Sequence, residues 1–550
     1  AEASDGKLVF DLESKSGKRQ VTIEIPVLGA WGDNWPVDCP KTAKIVDQAA
    51  AFYSKHVAES QDMGIPTALP CLFLLSTGDD ALLPVVRKHI RKFIDKPDSI
   101  GDHTWNNCYN GILFAEYYLR TGEKDVLPLL QAICDDAEAR QNFDSAWKHW
   151  GTDINPAYVA GGLMNPASTQ VLTSLLLSKE CGVKVDDTTL DNALRYFWRF
   201  VGHGGVPYGD HRAEGGVSSN GKDAMIAAAM QAAMGAASDT AIYASARDYQ
   251  SMATLDAWPG MIMGHADNGR GDGIWRGIAS FYLFDQKHER FREVMDRLTW
   301  WYDLSRYDDG GMGLASCVKF NDPGSGAAAA MIFTAPRKAL RILGAPPSPH
   351  AVAFKLPEHL WGHEADLAFH RIEPAAGYEK HGKELPIYHI FNLIGNAYSG
   401  GEIAENPDCI SPDELQRLVR HRSYKVRTQA AKALRLKGEL ETLEALLRDH
   451  DPRLRRTALD GINDWNYWFA VGKQPLETEH FTPGMIEAIP AMLGDPEESL
   501  YVVEGALFAI ARMPVEVIDR HLDAIMLWTK HSDWWLRDAS FAALQGLDRD

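Results

Sequence analysis

Cysteine is scarce in this sequence and follows no pattern. Its seven residues, Cys39, Cys71, Cys108, Cys134, Cys181, Cys317 and Cys409, are odd in number and include no CxxC pair. That excludes a Cys-rich zinc site and argues against a disulfide framework, so the thiols are expected to act as small buried hydrophobes. Basic charge is also in deficit, with 56 Lys and Arg against 75 Asp and Glu and a net charge of −19. Nucleic acid is therefore not an expected partner, because phosphate binding needs a cationic surface. No apolar run approaches the ~18 residues that span a bilayer, so membrane insertion is not expected. There is no GxSxG nucleophile elbow. The Gly269-Arg-Gly-Asp-Gly run follows no strand and fails as a dinucleotide fingerprint. No cofactor is expected. An opening at Ala1, without Met or a signal sequence, is what a processed or trimmed chain would show.

What is present is helical periodicity on a large scale. At 550 residues and 45% hydrophobic composition, the chain can build about two to four domains. Lys7-Leu-Val-Phe-Asp-Leu and Gln20-Val-Thr-Ile-Glu-Ile-Pro alternate apolar and polar residues around Ser16-Gly17, which predicts a β-hairpin. Two strands alone are not stable, so the hairpin is expected to pack on its neighbour or to belong to a larger module. From Lys41 onward, six amphipathic helices are expected at about 42–58, 81–95, 124–141, 187–200, 239–254 and 288–305. Between them run helices apolar nearly all round, such as Ala224-Met-Ile-Ala-Ala-Ala-Met, and such helices are buried. Each opens at a polar, Gly-rich loop: near Asp62, Asp102, Asp153, Gly209, Gly264 and Asp309. A repeat at this spacing signals a closed or stacked array, and six outer with six inner helices predict an (α/α)6 toroid. An open superhelix is the alternative.

Residues 346–410 read as a crossover, and a second repeat begins near 411. Ser423-Tyr-Lys-Val-Arg matches Asp451-Pro-Arg-Leu-Arg, with further copies at Asp495-Pro-Glu-Glu-Ser and Ser532-Asp-Trp-Trp-Leu-Arg. A capping Asp or Ser, Pro in the first turn and an Arg on the same helix resemble HEAT repeats. The expected organisation is an all-α chain: hairpin at 1–30, toroid at 31–345, crossover at 346–410 and HEAT-like helices at 411–550.

In a closed ring the inner-helix N-termini converge on one face with unsatisfied N–H groups and positive dipole ends, so their loops are the candidate site. The second loop offers Asp102, His103, Trp105 and Asn106; an acid beside an aromatic plane suits sugar cleavage, and the alternative is an N-cap Asp102 with a structural Trp105. The fourth loop offers Tyr208, Asp210, His211, Arg212 and Glu214 between glycine pairs; its alternative is a solvated loop. Trp150 and Asp153 come from the third loop, and His265, Arg270 and Asp272 from the fifth. For hydrolysis the two carboxylates are Asp102 and Asp210 or Glu214. For β-elimination Tyr208 and His211 exchange protons while Asn106 and Arg212 neutralise a uronate. His103, Trp105, Trp150, Asp153, His265, Arg270 and Asp272 are substrate-binding candidates. No HxxxH spacing supports a metal site among Asp102, His103, His211 and His265, and none is expected.

The ring lacks the DxDD motif of terpene cyclases, the GCGEQ motif of complement-like domains and the zinc set of lanthionine cyclases. It is similar to carbohydrate-active (α/α)6 enzymes, the glycoside hydrolases and polysaccharide lyases. Ile25-Pro-Val-Leu-Gly, Asp38-Cys-Pro-Lys41, Met263-Gly-His265 and the repeats after 411 resemble secreted bacterial proteins of unknown function that combine a PDZ module, a toroid and HEAT-like repeats. The resemblance implies a periplasmic or extracellular location and supplies no catalytic residue. The expected function is cleavage of a poly- or oligosaccharide substrate in the ring. The alternative is a non-catalytic protein- or glycan-binding scaffold, and a protein partner on the HEAT repeats is compatible with either.

Overall fold

Helix formation in this chain follows the expected periodicity closely. The structure, a computed structural model, describes residues 2–3, 5–101, 103–149, 163–209, 212–213, 222–235, 241–257, 273–286, 288–315, 321–381, 385–394, 401–463 and 476–548. Strands β1 (Lys7–Ser14) and β2 (Gly17–Glu24) pair antiparallel in the register Lys7 to Glu24. The outer helices are α1 (Pro40–Glu59), α3 (Leu83–Ile94), α5 (Leu127–Arg140), α7 (Asp187–Trp198), α9 (Ala241–Asp256) and α11 (Glu289–Leu304). The inner helices are α2 (Ile65–Ser76), α4 (Thr104–Thr121), α6 (Asn165–Glu180), α8 (Lys222–Ala233), α10 (Gly273–Phe281) and α12 (Pro323–Thr334).

The inner helices form a closed cycle: α2 packs on α4, α4 on α6, α6 on α8, α8 on α10, α10 on α12, and α12 back on α2. This is the toroid, not the open superhelix. Every residue of α8 is buried, as expected of a helix apolar on all sides. Small residues let the inner helices approach: a Cβ on Gly111 of α4 would lie 2.0 Å from Ser174 Oγ of α6.

The C-terminal ends of the inner helices are closed by the strap Leu340–Gly344. Glu116 of α4 accepts the backbone N–H groups of Arg341 and Ile342, each at 2.9 Å. Arg341 pairs with Glu180 at the end of α6 at 2.8 Å, and Tyr282 after α10 donates to the Ile342 carbonyl at 2.6 Å. The opposite end, where the inner helices begin, is the mouth.

Within the crossover lie α13 (Ile387–Ile394) and α14 (Gly401–Glu405), and beyond it come α15 (Pro412–Leu418), α16 (Tyr424–Leu436), α17 (Leu440–Leu446), α18 (Pro452–Asn463), α19 (Pro483–Ala491), α20 (Leu500–Ile510), α21 (Val515–Arg520), α22 (Leu522–Trp528) and α23 (Trp534–Gln545). One layer stacks α16 on α18, α18 on α20 and α20 on α23, while α15, α17, α19 and α22 flank it. The repeated Arg has a local task. Nη1 of Arg427 donates to the carbonyls of His421 and Arg422, that of Arg455 to Asp449 and His450, and that of Arg537 to His531 and Ser532. Each Arg thus holds the turn leading into its own helix. In the third copy Val503 stands at that place, and the cap is Ser499, which accepts from Val502 N–H; Asp495 of the Asp-Pro pair is not the cap.

Candidate functional site

The mouth is assembled from loops that bridge neighbouring inner helices. Residues leading out of α5 cross the start of α4: Thr104 donates its N–H to His149 O at 3.0 Å and its hydroxyl to Lys148 O at 2.6 Å. The same segment holds the start of α6, where Met164 N–H donates to Trp147 O and Trp147 N–H to Ser168 Oγ. Next around the ring, Asn165 at the start of α6 captures the fourth loop. Its backbone N–H donates to Tyr208 O at 3.0 Å and its side-chain amide to Pro207 O and Gly209 O. Tyr196 of α7 fixes that amide by donating to Asn165 Oδ1 at 3.0 Å.

Two polar groups result. In the first, Trp105 Nε1–H donates to His149 Nδ1 at 2.7 Å. Nδ1 is therefore the acceptor and the neutral imidazole carries its proton on Nε2. Burial, reinforced by neighbouring His103, lowers the pKa of His149, which favours that neutral form. In the second, the Lys222 ammonium at the start of α8 lies over the Tyr208 ring, 5.5 Å from its centroid. Lys222 and Asp223 are both buried, and a buried cation is costly unless its surroundings stabilise it. His103, Trp105, His149, Tyr208 and Lys222 thus follow an arc over the N-termini of α4, α6 and α8, whose dipoles add positive potential. The arc combines an aromatic plane, a proton-carrying imidazole, a phenol and an ammonium. It suits a ring-shaped, negatively charged ligand. Among the described residues, no cluster of three or more His, Cys, Asp or Glu could hold a metal ion.

Of the expected site residues, His103, Trp105 and Tyr208 are at this arc. Asn106 turns toward α2, its Oδ1 2.9 Å from the position of a Cβ on Gly64. Arg212 corrects the sequence reading. Expected to neutralise a substrate carboxylate, it is instead buried against the repeats. There its Nε donates to Glu504 Oε1 at 2.7 Å, Nη1 pairs with Asp538, and Nη2 donates to Trp535 O. Its guanidinium also lies over the Phe508 and Trp534 rings. A buried carboxylate is a stronger claimant on a guanidinium than a solvated ligand. Asp102, Trp150, Asp153, Asp210, His211, Glu214, His265, Arg270 and Asp272 lie outside the described residues. His149 and Lys222 are the two members of the arc absent from the candidate residues of the sequence. The signal for Lys222 was a cation at the first position of a helix that is almost wholly apolar after Asp223.

Residues 42–344, the ring, match the family model described as a domain of unknown function, DUF6288. No curated protein matches the chain. Among solved structures, an engineered protein determined as a Northeast Structural Genomics Consortium target is similar at 10% identity and a TM-score of 0.20, over 93% of this chain and 95% of that one. A Kap121p mutant is similar at 12% identity and a TM-score of 0.19, over 92% of this chain and 46% of that one. The fold rests on the helix contacts described above and not on these two likenesses.

Proposed function

We propose that this chain, which belongs to the DUF6288 family, binds and cleaves a poly- or oligosaccharide at the mouth of its ring, with β-elimination of a uronate-containing chain as the reaction. The observation that carries this reading is the buried Lys222 ammonium over the Tyr208 ring, one inner helix away from the Trp105–His149 pair. In β-elimination a base removes the proton α to the uronate carboxylate, the C4–O4 bond breaks, and the leaving oxygen takes up a proton. Lys222 takes the neutralising role that Arg212 does not fill, balancing charge as it builds on the carboxylate. Tyr208 supplies the phenol for proton transfer, and Trp105 a plane for the sugar ring. His149 offers its Nε2–H as a donor.

The test is a panel of uronate-containing and neutral polysaccharides followed for both reducing ends and unsaturated-uronide absorbance. The expected outcome is that both signals rise together on a uronate polymer. Tyr208→Phe should lower kcat about 10²- to 10⁴-fold, the usual worth of general acid–base catalysis, with unchanged thermal unfolding. Reducing ends without the absorbance, or full activity in Tyr208→Phe, would overturn elimination. No turnover on any polymer would overturn cleavage itself.

A further inference from the structure

A cavity of about 810 Å³ opens where the ring meets the repeats. Small-ligand sites fall in the range of roughly 300–1,000 Å³ and favour junctions of this kind. Its walls come from residues 143–145 after α5, α7 of the ring and Arg199 just past it, residues 359–363 of the crossover, Leu500, and residues 531–537 entering the last repeat helix.

Positive charge dominates these walls although the whole chain has a net charge of −19. Arg195, Arg199 and Arg537 face two carboxylates, Asp144 and Asp533. Asp533 is already committed. It receives Arg199 Nη1 at 3.0 and 3.2 Å, Trp361 Nε1 at 2.6 Å and the Trp535 N–H at 2.9 Å. Arg199 is thereby balanced, whereas Arg195 and Arg537 make no ion pair at hydrogen-bonding distance among the described residues, Asp191 on α7 being a carboxylate whose charge acts on Arg195. Arg195 Nε donates to Leu360 O and Arg537 Nη1 holds the carbonyls of its turn. Their remaining N–H groups have no partner among the described residues.

Imidazoles add a donor and an acceptor. His531 Nδ1 accepts from Asp533 N–H at 3.0 Å, which leaves its proton on Nε2. His363 donates its Nδ1–H to Glu498 O at 2.7 Å, so the Nε2 of its neutral ring is an acceptor, and His359 is exposed at the rim. Aromatic planes complete the lining: Phe143, 66% exposed, with Trp534 and Trp361. Guanidinium forks recognise carboxylate or sulfate in a bidentate manner, and aromatic planes accept the apolar face of a sugar ring.

The cavity also communicates with the mouth. Tyr196 lines it, and the same Tyr196 hydroxyl donates to Asn165 Oδ1, while Asn165 N–H holds Tyr208 O. Two hydrogen bonds thus separate the cavity wall from the Tyr208 loop. We propose that this cavity is a second binding site for an anionic saccharide, a subsite that holds the substrate chain beside the mouth. The ligand class rests on the reading of the mouth; the location does not.

The test uses the full chain, titrated calorimetrically with an oligogalacturonate, with its carboxyl-reduced neutral counterpart and with sodium sulfate. The expected result is two classes of oligogalacturonate site. Arg195→Glu and His359→Gln, both at exposed positions, should each weaken one class about tenfold, the scale of a lost charged hydrogen bond, with unchanged thermal unfolding. Lys222→Ala should affect only the other class. An isotherm unchanged by Arg195→Glu and His359→Gln, with binding lost in Lys222→Ala, overturns the second site and leaves the mouth reading standing. Sulfate or the neutral sugar binding this cavity as tightly as the uronate overturns the ligand class. Binding that survives only in the cavity supports the subsite while counting against the mouth.

Discussion

The ring and the repeat stack each bury a glutamate completely, and the two acids end in opposite states. In the ring, burial raises the Glu116 pKa to about 7, because two backbone N–H groups and a shared Arg341 do not compensate for lost hydration. In the stack, burial also acts to raise Glu504, but the charges of Arg212 and Arg456 and the bond from His203 outweigh it and hold the carboxyl well below its usual range. The difference follows from what each array must accomplish. A closed cycle of apolar helices makes its own core and can tolerate a carboxylic acid at its base. An open stack has a free face, and here that face is bound to the ring by ion pairs. Arg212 of the ring and Arg456 of α18 both converge on Glu504 of α20, beside His203 stacked on Tyr501 at 4.2 Å.

The largest effect is expected from breaking that convergence. Glu504→Gln leaves two buried guanidiniums short of a counter-charge, and removing one partner of a buried pair typically costs about 3–5 kcal/mol. Chemical denaturation at neutral pH measures it. A loss below about 1 kcal/mol would mean that the Glu504 ion pairs do not hold the seam and that it rests on apolar packing and the remaining pairs, such as Arg199–Asp533 and Arg212–Asp538. Because the Glu504 pKa is depressed on folding, its stabilisation is present above the ordinary carboxylate pKa and fades as pH falls through the folded value. The deficit of Glu504→Gln should therefore shrink in acid.

Glu116 sharpens the contrast with the opposite sign. A carboxyl raised on folding from 4.5 to about 7 stabilises the protein fully below about pH 4.5. That contribution is lost as pH rises toward and through 7, amounting to roughly 3 kcal/mol. Glu116→Gln cannot titrate. Its stability relative to the unmodified chain should therefore improve by about that amount between pH 4.5 and 8. Thermal unfolding relative to the unmodified chain, followed below about pH 4.5 for Glu504→Gln and from pH 4.5 to 8 for Glu116→Gln, should give slopes of opposite sign. Parallel slopes would erase the distinction between the two arrays.

Much of this architecture is legible in the sequence because it is periodic. The outer-helix ranges expected from amphipathicity agree with those observed within about two or three residues, since each helix reads its own burial through local spacing. Closure was legible only as a count of six, and the contact of α12 with α2 establishes it. The seam was not legible. Arg212 and Glu504 are 292 residues apart, and nothing near Arg212 distinguishes a guanidinium bound for a carboxylate on another domain from one awaiting a ligand. The mouth was half legible for the same reason. Loop composition singled out Trp105 and Tyr208, but the Trp105–His149 bond spans 44 residues. Lys222 acquires meaning only once Tyr208 is beneath it.

The hairpin is the region that uses neither solution, and it should show the smallest effect. Leu8 and Phe10 on one face, and Val9 on the other, are 41, 41 and 50% exposed, so neither face is buried. Of the two expectations for the hairpin, packing on its neighbour or belonging to a larger module, the first is not met by these side chains. What attaches this end of the chain is Glu2, which pairs with Lys41 at 3.0 Å and with Arg306. Replacing Lys7–Glu24 by a short Gly-Ser turn while keeping Glu2 should therefore change unfolding free energy by less than about 0.5 kcal/mol, the range of exposed surface changes. Glu2→Gln should cost more than deleting the strands, because it removes a carboxylate shared by Lys41, whose side chain is 4% exposed, and Arg306, at 10%. The reverse ranking would mean that the exposed apolar residues of the hairpin contribute packing that their accessibility conceals.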